Sequence, residues 1–416
     1  MKPSKRFLLI NFDFPPNQGI GGRRWAKLAK ALAAQGDEIF VIKAAPIVHN
    51  KNSNWSEDVQ HHRIHVLEIP RTYPTSISHP SGNLLGKIRF RLDRWRLLLT
   101  ERGTIYDQSI GWDKEMMEPC RKWIQEHQIN CIIATGAPWN LLVYAAQLKA
   151  EFPQCQLLVD YRDPWLTAKN YGMQSLSPKR MAHEIAKQQF VFEHADVVTT
   201  PYPYLTESLR TWSAEHATHQ PVFETLSHFY DPEDIVAPTT PRARDRFTLI
   251  YAGDFYVGVE SIFNEFLQSL RDLRTQRPDI YSQLRIIIHS TSTIPSHLMS
   301  ESCVIQEGNI GKRIFEEIAH AQGCVVFLPE HKKNELTTKF AEYLPTGKPI
   351  LLWAPQGYAS DFVKEHQVGI HMGKDASGWI TWYDSMQSAH STPSTTQTRE
   401  SFSLQKIAEK LNQLFH

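Results

Sequence analysis

No stretch of these 416 residues stays apolar over the ~18 positions that a membrane-spanning helix needs. An integral helical membrane protein is thereby excluded. No Cys-x-x-Cys pair occurs among Cys120, Cys131, Cys155, Cys303 and Cys324. Thiols scattered in this way give neither a disulfide framework nor a zinc site, and they read as buried free thiols in a reducing compartment. Neither sign of charge prevails: 45 Lys and Arg face 44 Asp and Glu, net +1, so bulk charge gives no argument for nucleic acid. No Asp-x-Asp pair follows a predicted strand, so neither a metal site nor a cofactor is expected. His61, His62 and His65 lack a companion cysteine or carboxylate cluster, and a loop or strand edge is the simpler reading. Lys2, Lys5 and Arg6 precede only Phe7-Leu8-Leu9-Ile10 before Asp13-Phe14-Pro15-Pro16 ends the run, too short for a secretory core. The expected location is cytoplasmic, with peripheral contact on the inner membrane face as the one membrane option.

What is present is a soluble globular composition, 41% hydrophobic and 21% charged. The length implies two domains of roughly 200 residues. The eleven tryptophans fit either large cores or a ring-lined cleft. FLLINF, residues 7–12, is apolar without alternation, as in a parallel strand covered on both faces. The loop DFPPNQGIGG follows, then RRWAKLAKALAAQG, with Trp25, Leu28, Ala29 and Leu32 on one helical face and Gly36 at the end. EIFVIK, 38–43, completes a βαβ unit. Gly19-Ile20-Gly21-Gly22 is not the G-x-G-x-x-G fingerprint, but glycines there let backbone approach a diphosphate or a sugar closely.

Further strands are expected at 64–69, 130–135, 155–160 and 196–200, with helices at 139–151 and 178–194. CQLLVD runs into Tyr161-Arg162-Asp163-Pro164-Trp165. Polar residues just past a parallel strand's carboxyl end are where α/β proteins place chemistry. Trp165 reads as a pocket wall there; a structural Arg162–Asp163 pair is the plainer alternative. GKIRFRLDRWRLLLTERG interleaves Lys87, Arg89, Arg91, Arg94, Arg96 and Arg102 with Ile88, Phe90, Leu92, Trp95 and Leu98. Two readings stay open, a helix lying on an anionic membrane surface and a solvated helix packed on its own domain.

Residues 211–246 are irregular and rich in Pro, Thr and His, and read as the interdomain connection. A second α/β series starts with FTLIYAG, 247–253. It culminates in ELTTKFAEYLPTGKPILL, 335–352, expected as loop, helix, turn and buried strand. Phe340, Tyr343 and Leu344 share a face, and Glu342 falls off it. Thr337 and Thr338 stand where a helix is capped, and free N–H groups there suit an anion. A carboxylate one turn on can accept hydrogen bonds from the adjacent hydroxyls of a ribose; a solvated glutamate is the plainer reading.

Taken in order, LLINFDFPPNQGIGGRRWAKLAKALAAQGDEIFVI, VDYRDPW, ADVVTTPYPYLTESL, LIYAGDFY and TTKFAEYLPTGKPIL resemble the GT-B retaining glycosyltransferases of family four, most of all a subgroup used in surface-polysaccharide assembly. The resemblance implies an α/β architecture of two Rossmann-like parallel-sheet domains facing a cleft, with a C-terminal helix crossing back. Its expected parts are an acceptor-side domain at 1–220, a connector at 221–246, a nucleotide-sugar domain at 247–395 and a terminal helix at 396–416. It implies transfer, without a metal, from a nucleotide diphosphate sugar, UDP-linked, to a glycan or lipid-linked acceptor. Gly21 and Gly22 would lie against the donor diphosphate and sugar, together with Gly253 and the backbone at Thr337 and Thr338. Glu342 would hold the ribose, and backbone at Asn309 and Ile310 would read the base. Arg162 and Asp163 take the place of a His-Asp pair and are the candidate catalytic residues.

Three departures stand out. The family's first donor-site glutamate is replaced by Asn334, with Glu335 one position off register. The arginine and lysine usual after the GDFY strand are absent, Asp254 or Phe255 and Val259 standing there. Lys339 and Arg162 are the cations left for the diphosphate. A GT-B protein that binds nucleotide sugar without turnover, and one that epimerises or hydrolyses the donor, are the competing readings.

Overall fold

The computed structural model describes residues 4–17, 19–46, 55–235, 246–255, 258–387 and 396–415. Residues 236–245, within the expected connector, lie outside them. The chain divides into two compact units, Met1–Leu226 with Ala408–His416, and Ser227–Ile407.

Unit one is built on a seven-stranded parallel sheet. Its strands are β1 (Arg6–Ile10), β2 (Glu38–Ala44), β3 (Ile64–Ile69), β4 (Cys131–Gly136), β5 (Gln156–Tyr161), β6 (Val197–Thr200) and β7 (Val222–Thr225), in the order β3-β2-β1-β4-β5-β6-β7. β1 is central, pairing with β2 from Arg6↔Glu38 to Ile10↔Ile42 and with β4 from Phe7↔Cys131 to Ile10↔Ala134. Its uninterrupted apolar run is what two helix-covered faces require. β7 lies in the stretch that reads as irregular from sequence, as does the end of the helix Pro203–His216. VFET is too short and polar to announce itself, and pairing with β6 holds it.

The terminal helix Leu404–Gln413 carries residues 408–416 onto unit one. Phe415 packs edge-on against Phe7, the Lys5 ammonium donates to the Asn412 carbonyl at 2.7 Å, and the Asn412 amide donates to Asp37 at 2.9 Å.

Unit two holds β8 (Phe247–Ala252), β9 (Leu284–His289), β10 (Val304–Glu307), β11 (Gly323–Phe327), β12 (Ile350–Trp353) and β13 (Gly369–His371), all parallel, in the order β10-β9-β8-β11-β12-β13. Alternation along β8 sends Leu249 and Tyr251 into one core layer with Phe263, Phe266, Phe327 and Trp353. Ile250 enters the opposite layer with Val326, Phe340, Tyr343 and Leu352. Both faces of the sheet are therefore covered.

Two sequence expectations resolve differently here. Trp165 is fully buried, stacked on Trp139 at 5.5 Å between centroids, with its indole N–H donated to Glu184 at 2.9 Å. It belongs to the core rather than to a pocket wall. The helix Leu84–Thr100 buries only Leu97 of its large apolar residues, so packing on its own domain does not absorb its apolar stripe. The five cysteines are all buried and free. Among the described residues no helix is long and apolar enough to cross a membrane, and no three His, Cys, Asp or Glu side chains gather as a metal site.

Candidate functional site

A doubly wound sheet leaves a crevice where its strand order reverses, outside the carboxyl ends of the two strands whose connections diverge. In unit one that point lies between β1 and β4, and in unit two between β8 and β11.

In unit one the turn after β1 is the glycine loop. A Cβ on Gly22 would stand 1.9 Å from the Asp13 carbonyl oxygen, so only glycine lets the helix Ile20–Ala34 start so close to the loop. A Cβ on Gly21 would stand 1.9 Å from Nη1 of Arg162. Two residues 141 positions apart in sequence thus share one spot, and the glycine is what makes room for the guanidinium. Arg162 is held there by Nε donating to the Gly136 carbonyl at 3.1 Å and Nη2 to the Ala137 carbonyl at 3.0 Å, both at the end of β4. Asp163 is exposed and makes no bond among the described residues, so the two are not a structural pair.

Beneath this surface lies a group that the sequence does not advertise. Asp160, the penultimate residue of β5, is fully buried and accepts from the Trp25 indole at 2.9 Å and the Thr199 hydroxyl at 2.8 Å. The Arg24 guanidinium lies 3.5 Å away. Burial pulls the Arg24 pKa down; Asp160 opposes that, and Arg162 adds to it. Asp160 therefore ties the first helix to β5, two residues before Arg162 in sequence.

In unit two, Gly253 follows β8 with φ of +159°, and a Cβ there would stand 2.2 Å from Cε of Lys339. The lysine stem crosses the glycine, and its ammonium sits 5.3 Å from the Tyr251 ring centroid. Burial pushes the Lys339 ammonium below its ordinary value; Glu342 opposes the shift, Lys332 adds to it and Asp254 opposes it. The helix carrying Lys339 and Glu342, Thr338–Tyr343, is anchored by Tyr343, whose hydroxyl accepts from the Ala252 amide at 2.9 Å. Its buried face is Phe340, Tyr343 and Leu344, and Glu342 stays off it, half-buried.

The expected threonine caps do not form. Thr337 occupies the N-cap, but its side chain bonds no backbone N–H, and its Oγ1 is buried without a partner. Thr338 is already helical, so neither hydroxyl caps.

Asp254, where the resemblance leads one to expect a cation, accepts from the Thr291 amide at 2.9 Å, the Thr291 hydroxyl and the Ser290 hydroxyl. Burial raises its pKa, and these hydrogen bonds outweigh that and hold it below the ordinary value. Exposed Asn309 and half-buried Ile310 follow β10, the Asn309 amide oxygen accepting from the Gly311 N–H at 2.8 Å. They connect to Gly253 through His289 at the end of β9. Its carbonyl accepts from the Gly253 amide at 2.9 Å, and its Nδ1 lies 3.2 Å from the Gly308 carbonyl. His289 Nε2 is buried without a partner. Nothing in the run LRIIIH marks that histidine; only the strand's position in the sheet does.

Each unit thus gathers its predicted residues at its own switch point, Gly21, Gly22, Arg162 and Asp163 in one, Gly253, Thr337, Thr338, Lys339 and Glu342 in the other. Two such parallel-sheet Rossmann-like domains constitute the GT-B fold. No protein-family model matches the sequence, and no curated protein matches it either. Solved structures do match over nearly the whole chain. A sucrose-phosphate synthase from Thermosynechococcus elongatus is 15% identical with a TM-score of 0.63, covering 99% of this chain and 98% of that one. A glycosyltransferase from Rickettsia africae is 9% identical with a TM-score of 0.62, covering 99% and 97%. A trehalose-6-phosphate protein from E. coli, bound with UDP-2-fluoro glucose, is 10% identical with a TM-score of 0.63, covering 99% of each. At these identities the likeness establishes the fold.

Proposed function

We propose that the chain is a glycosyltransferase that moves a sugar from a UDP-linked nucleotide diphosphate sugar to a glycan or lipid-linked hydroxyl. Its setting is surface-polysaccharide synthesis at the inner face of a membrane that it contacts peripherally. The reaction proceeds with retention and without a metal ion. The observation that carries this reading is Lys339 laid across Gly253 at the switch point of unit two, its ammonium destabilised by burial. A half-desolvated cation lacking an adequate counter-charge gains most from a bound anion.

As the anomeric C–O bond breaks, negative charge accumulates on the leaving diphosphate, and a preorganised cation stabilises it without reorganisation. Lys339 serves in that role, and Glu342, off the buried face, receives the ribose hydroxyls. Backbone at Thr337, Thr338 and Gly253 lies against the diphosphate, and that at Asn309 and Ile310 against the base. In unit one Gly21 and Gly22 permit close backbone approach, Arg162 supplies a second cation, and Asp163, exposed and unbonded, is free for the acceptor.

One observation favours a second reading, nucleotide-sugar binding without turnover. Asn334, at the position of the family's first glutamate, spends its side-chain oxygen on the Tyr358 amide at 3.0 Å, and Glu335 is paired with Lys332 at 2.8 Å. No carboxylate then remains for the donor sugar at that place.

Calorimetry across a panel of nucleotide sugars, followed by product analysis with and without acceptor glycans in EDTA, separates the readings. Transfer to acceptor in EDTA supports the first, and binding without chemistry supports the second. Donor hydrolysis or epimerisation without acceptor removes both, and failure of every nucleotide sugar to bind removes the site.

A further inference from the structure

The helix Leu84–Thr100 exposes the residues that a soluble helix ordinarily buries. Leu85 is 77% exposed, Leu92 62% and Trp95 63%. At about 100° per residue, Leu84, Trp95, Ile88, Leu99, Leu92 and Leu85 fall within one arc about 100° wide. The opposite side holds the helix to unit one: Leu97 packs with Tyr73, Ile105 and Ile110, and Asp93 accepts from the Ser76 hydroxyl at 2.5 Å. On the same projection Arg91, Lys87 and Arg94 border the apolar arc on one side and Arg96 and Arg89 on the other. Among the described residues only Arg89 of these has an ion-pair partner, Asp93 at 3.8 Å. Lys87, Arg91, Arg94 and Arg96 have none.

The chain then turns into a depression of about 740 Å³ lined by Glu101, Arg102, Lys179, Arg180 and His183 among others. Glu101 is the one acid among the described residues that line it. Arg102 and Lys179 are exposed and without an ion-pair partner among the described residues, whereas Arg180 is engaged with the Gly103 and Leu98 carbonyls, both at 2.6 Å. A cation-lined hollow therefore opens beside the end of an exposed apolar stripe.

We infer that this face docks on an anionic phospholipid bilayer, the stripe from Leu84 to Leu99 entering the headgroup layer and the Arg102–Lys179 hollow receiving a lipid phosphate. The inference builds on the peripheral-membrane part of the proposed function by naming the surface and the headgroup chemistry. The occupant follows from complementarity. An apolar face flanked on both sides by unpaired cations matches a layered partner, hydrocarbon beneath fixed anionic charge. A purely apolar protein groove would leave those cations without counter-charge.

The test is sedimentation of the full chain with vesicles of phosphatidylcholine alone and of phosphatidylcholine containing phosphatidylglycerol, at ~0.1 M salt. No donor is present, so the outcome is independent of whether the chain transfers sugar; donor affinity is measured separately on the same preparations. The wild type should sediment with the anionic vesicles and release as salt rises. Leu92→Ser with Trp95→Ser should weaken binding by more than about tenfold. Arg102→Gln with Lys179→Gln should weaken it by about 30-fold, and Arg285→Gln, an exposed control in unit two, should leave it unchanged. All these side chains are exposed, so melting temperatures should match and misfolding cannot imitate the result. Equal binding to both vesicle types, or anionic binding indifferent to the Leu92/Trp95 pair, overturns the docking face. Anionic binding that survives the Arg102/Lys179 pair overturns the headgroup site. Self-association abolished by Leu92→Ser with Trp95→Ser, without vesicle binding, assigns the face to a second copy of the chain and overturns the inference.

Discussion

Adjacent glycines in the first loop perform different tasks, and substitution separates them. In Gly22→Ala the new methyl meets the backbone carbonyl of Asp13, which cannot move without shifting the loop. A stability loss of about 1–3 kcal/mol is expected in urea unfolding. In Gly21→Ala the methyl meets the end of the Arg162 side chain, which can swing aside. Melting should change little, while turnover falls because the guanidinium leaves its two carbonyl acceptors. Equal stability losses in the two variants would contradict this division.

At the same scale, Glu342→Ala should weaken donor binding by ~2–3 kcal/mol, roughly 30- to 150-fold, as two charge-assisted hydrogen bonds are lost and water replaces part of them. Glu342→Gln should fall between. Neither should unfold the protein, since Glu342 lies off the buried face. Lys339 adds a pH signature. Its folded-state pKa lies below the ordinary 10.5, so the free protein loses that proton as pH rises toward 10.5, and a bound diphosphate favours keeping it. Donor affinity should therefore fall with alkaline pH, with proton uptake on binding detectable by calorimetry in buffers of different ionisation heat. Lys339→Arg should flatten the profile. A profile unchanged by that variant would remove Lys339 from the diphosphate.

Among elements, the join between the first helix and β5 has most at stake. Asp160 gathers the Trp25 indole, the Thr199 hydroxyl and the Arg24 guanidinium in a fully buried place. Asp160→Ala leaves the guanidinium buried without its carboxylate, a change that costs about 3–5 kcal/mol in other buried pairs. In a unit of this size that lowers the melting temperature by ~10 °C. Asp160→Asn keeps the shape and should lose less. Thermal unfolding of both variants checks this, and a loss within about 0.5 kcal/mol for the alanine would show the cluster to be dispensable.

For the whole molecule, the last residues of the chain complete the first unit. Leu411 and Phe415 are buried there, and Lys5 and Asp37 bond to Asn412. A chain ending at Ile407 exposes that apolar surface and strands the nearly buried Lys5. A loss of about 3–6 kcal/mol in unit one is expected from two large side chains alone. Calorimetry should show the unit-one transition lowered and that of Ser227–Ile407 little changed. Equal lowering of both, or of neither, would refute the assignment of residues 408–416.

Local chemistry alone determined a good part of this protein. Apolar runs such as FLLINF and FTLIYAG announced covered parallel strands, and Gly21, Gly22 and Glu342 stood out as candidates because turn glycines and a charged residue off an apolar stripe depart from what packing alone would choose, whereas Gly253 and Lys339 were singled out only through the resemblance. Short strands were not legible: VFET and GIH are held by pairing with β6 and β12, and sequence periodicity carries no trace of that. Nor were the caps, because Thr337 has the right chemistry and the N-cap position but makes no cap bond. Tertiary structure alone decided that Trp165 goes inward, that the stripe on Leu84–Thr100 stays outward, and that Arg162 rests on Gly21. Each depends on which distant segment arrives at that place, a quantity fixed by sheet order rather than by any residue's own propensity.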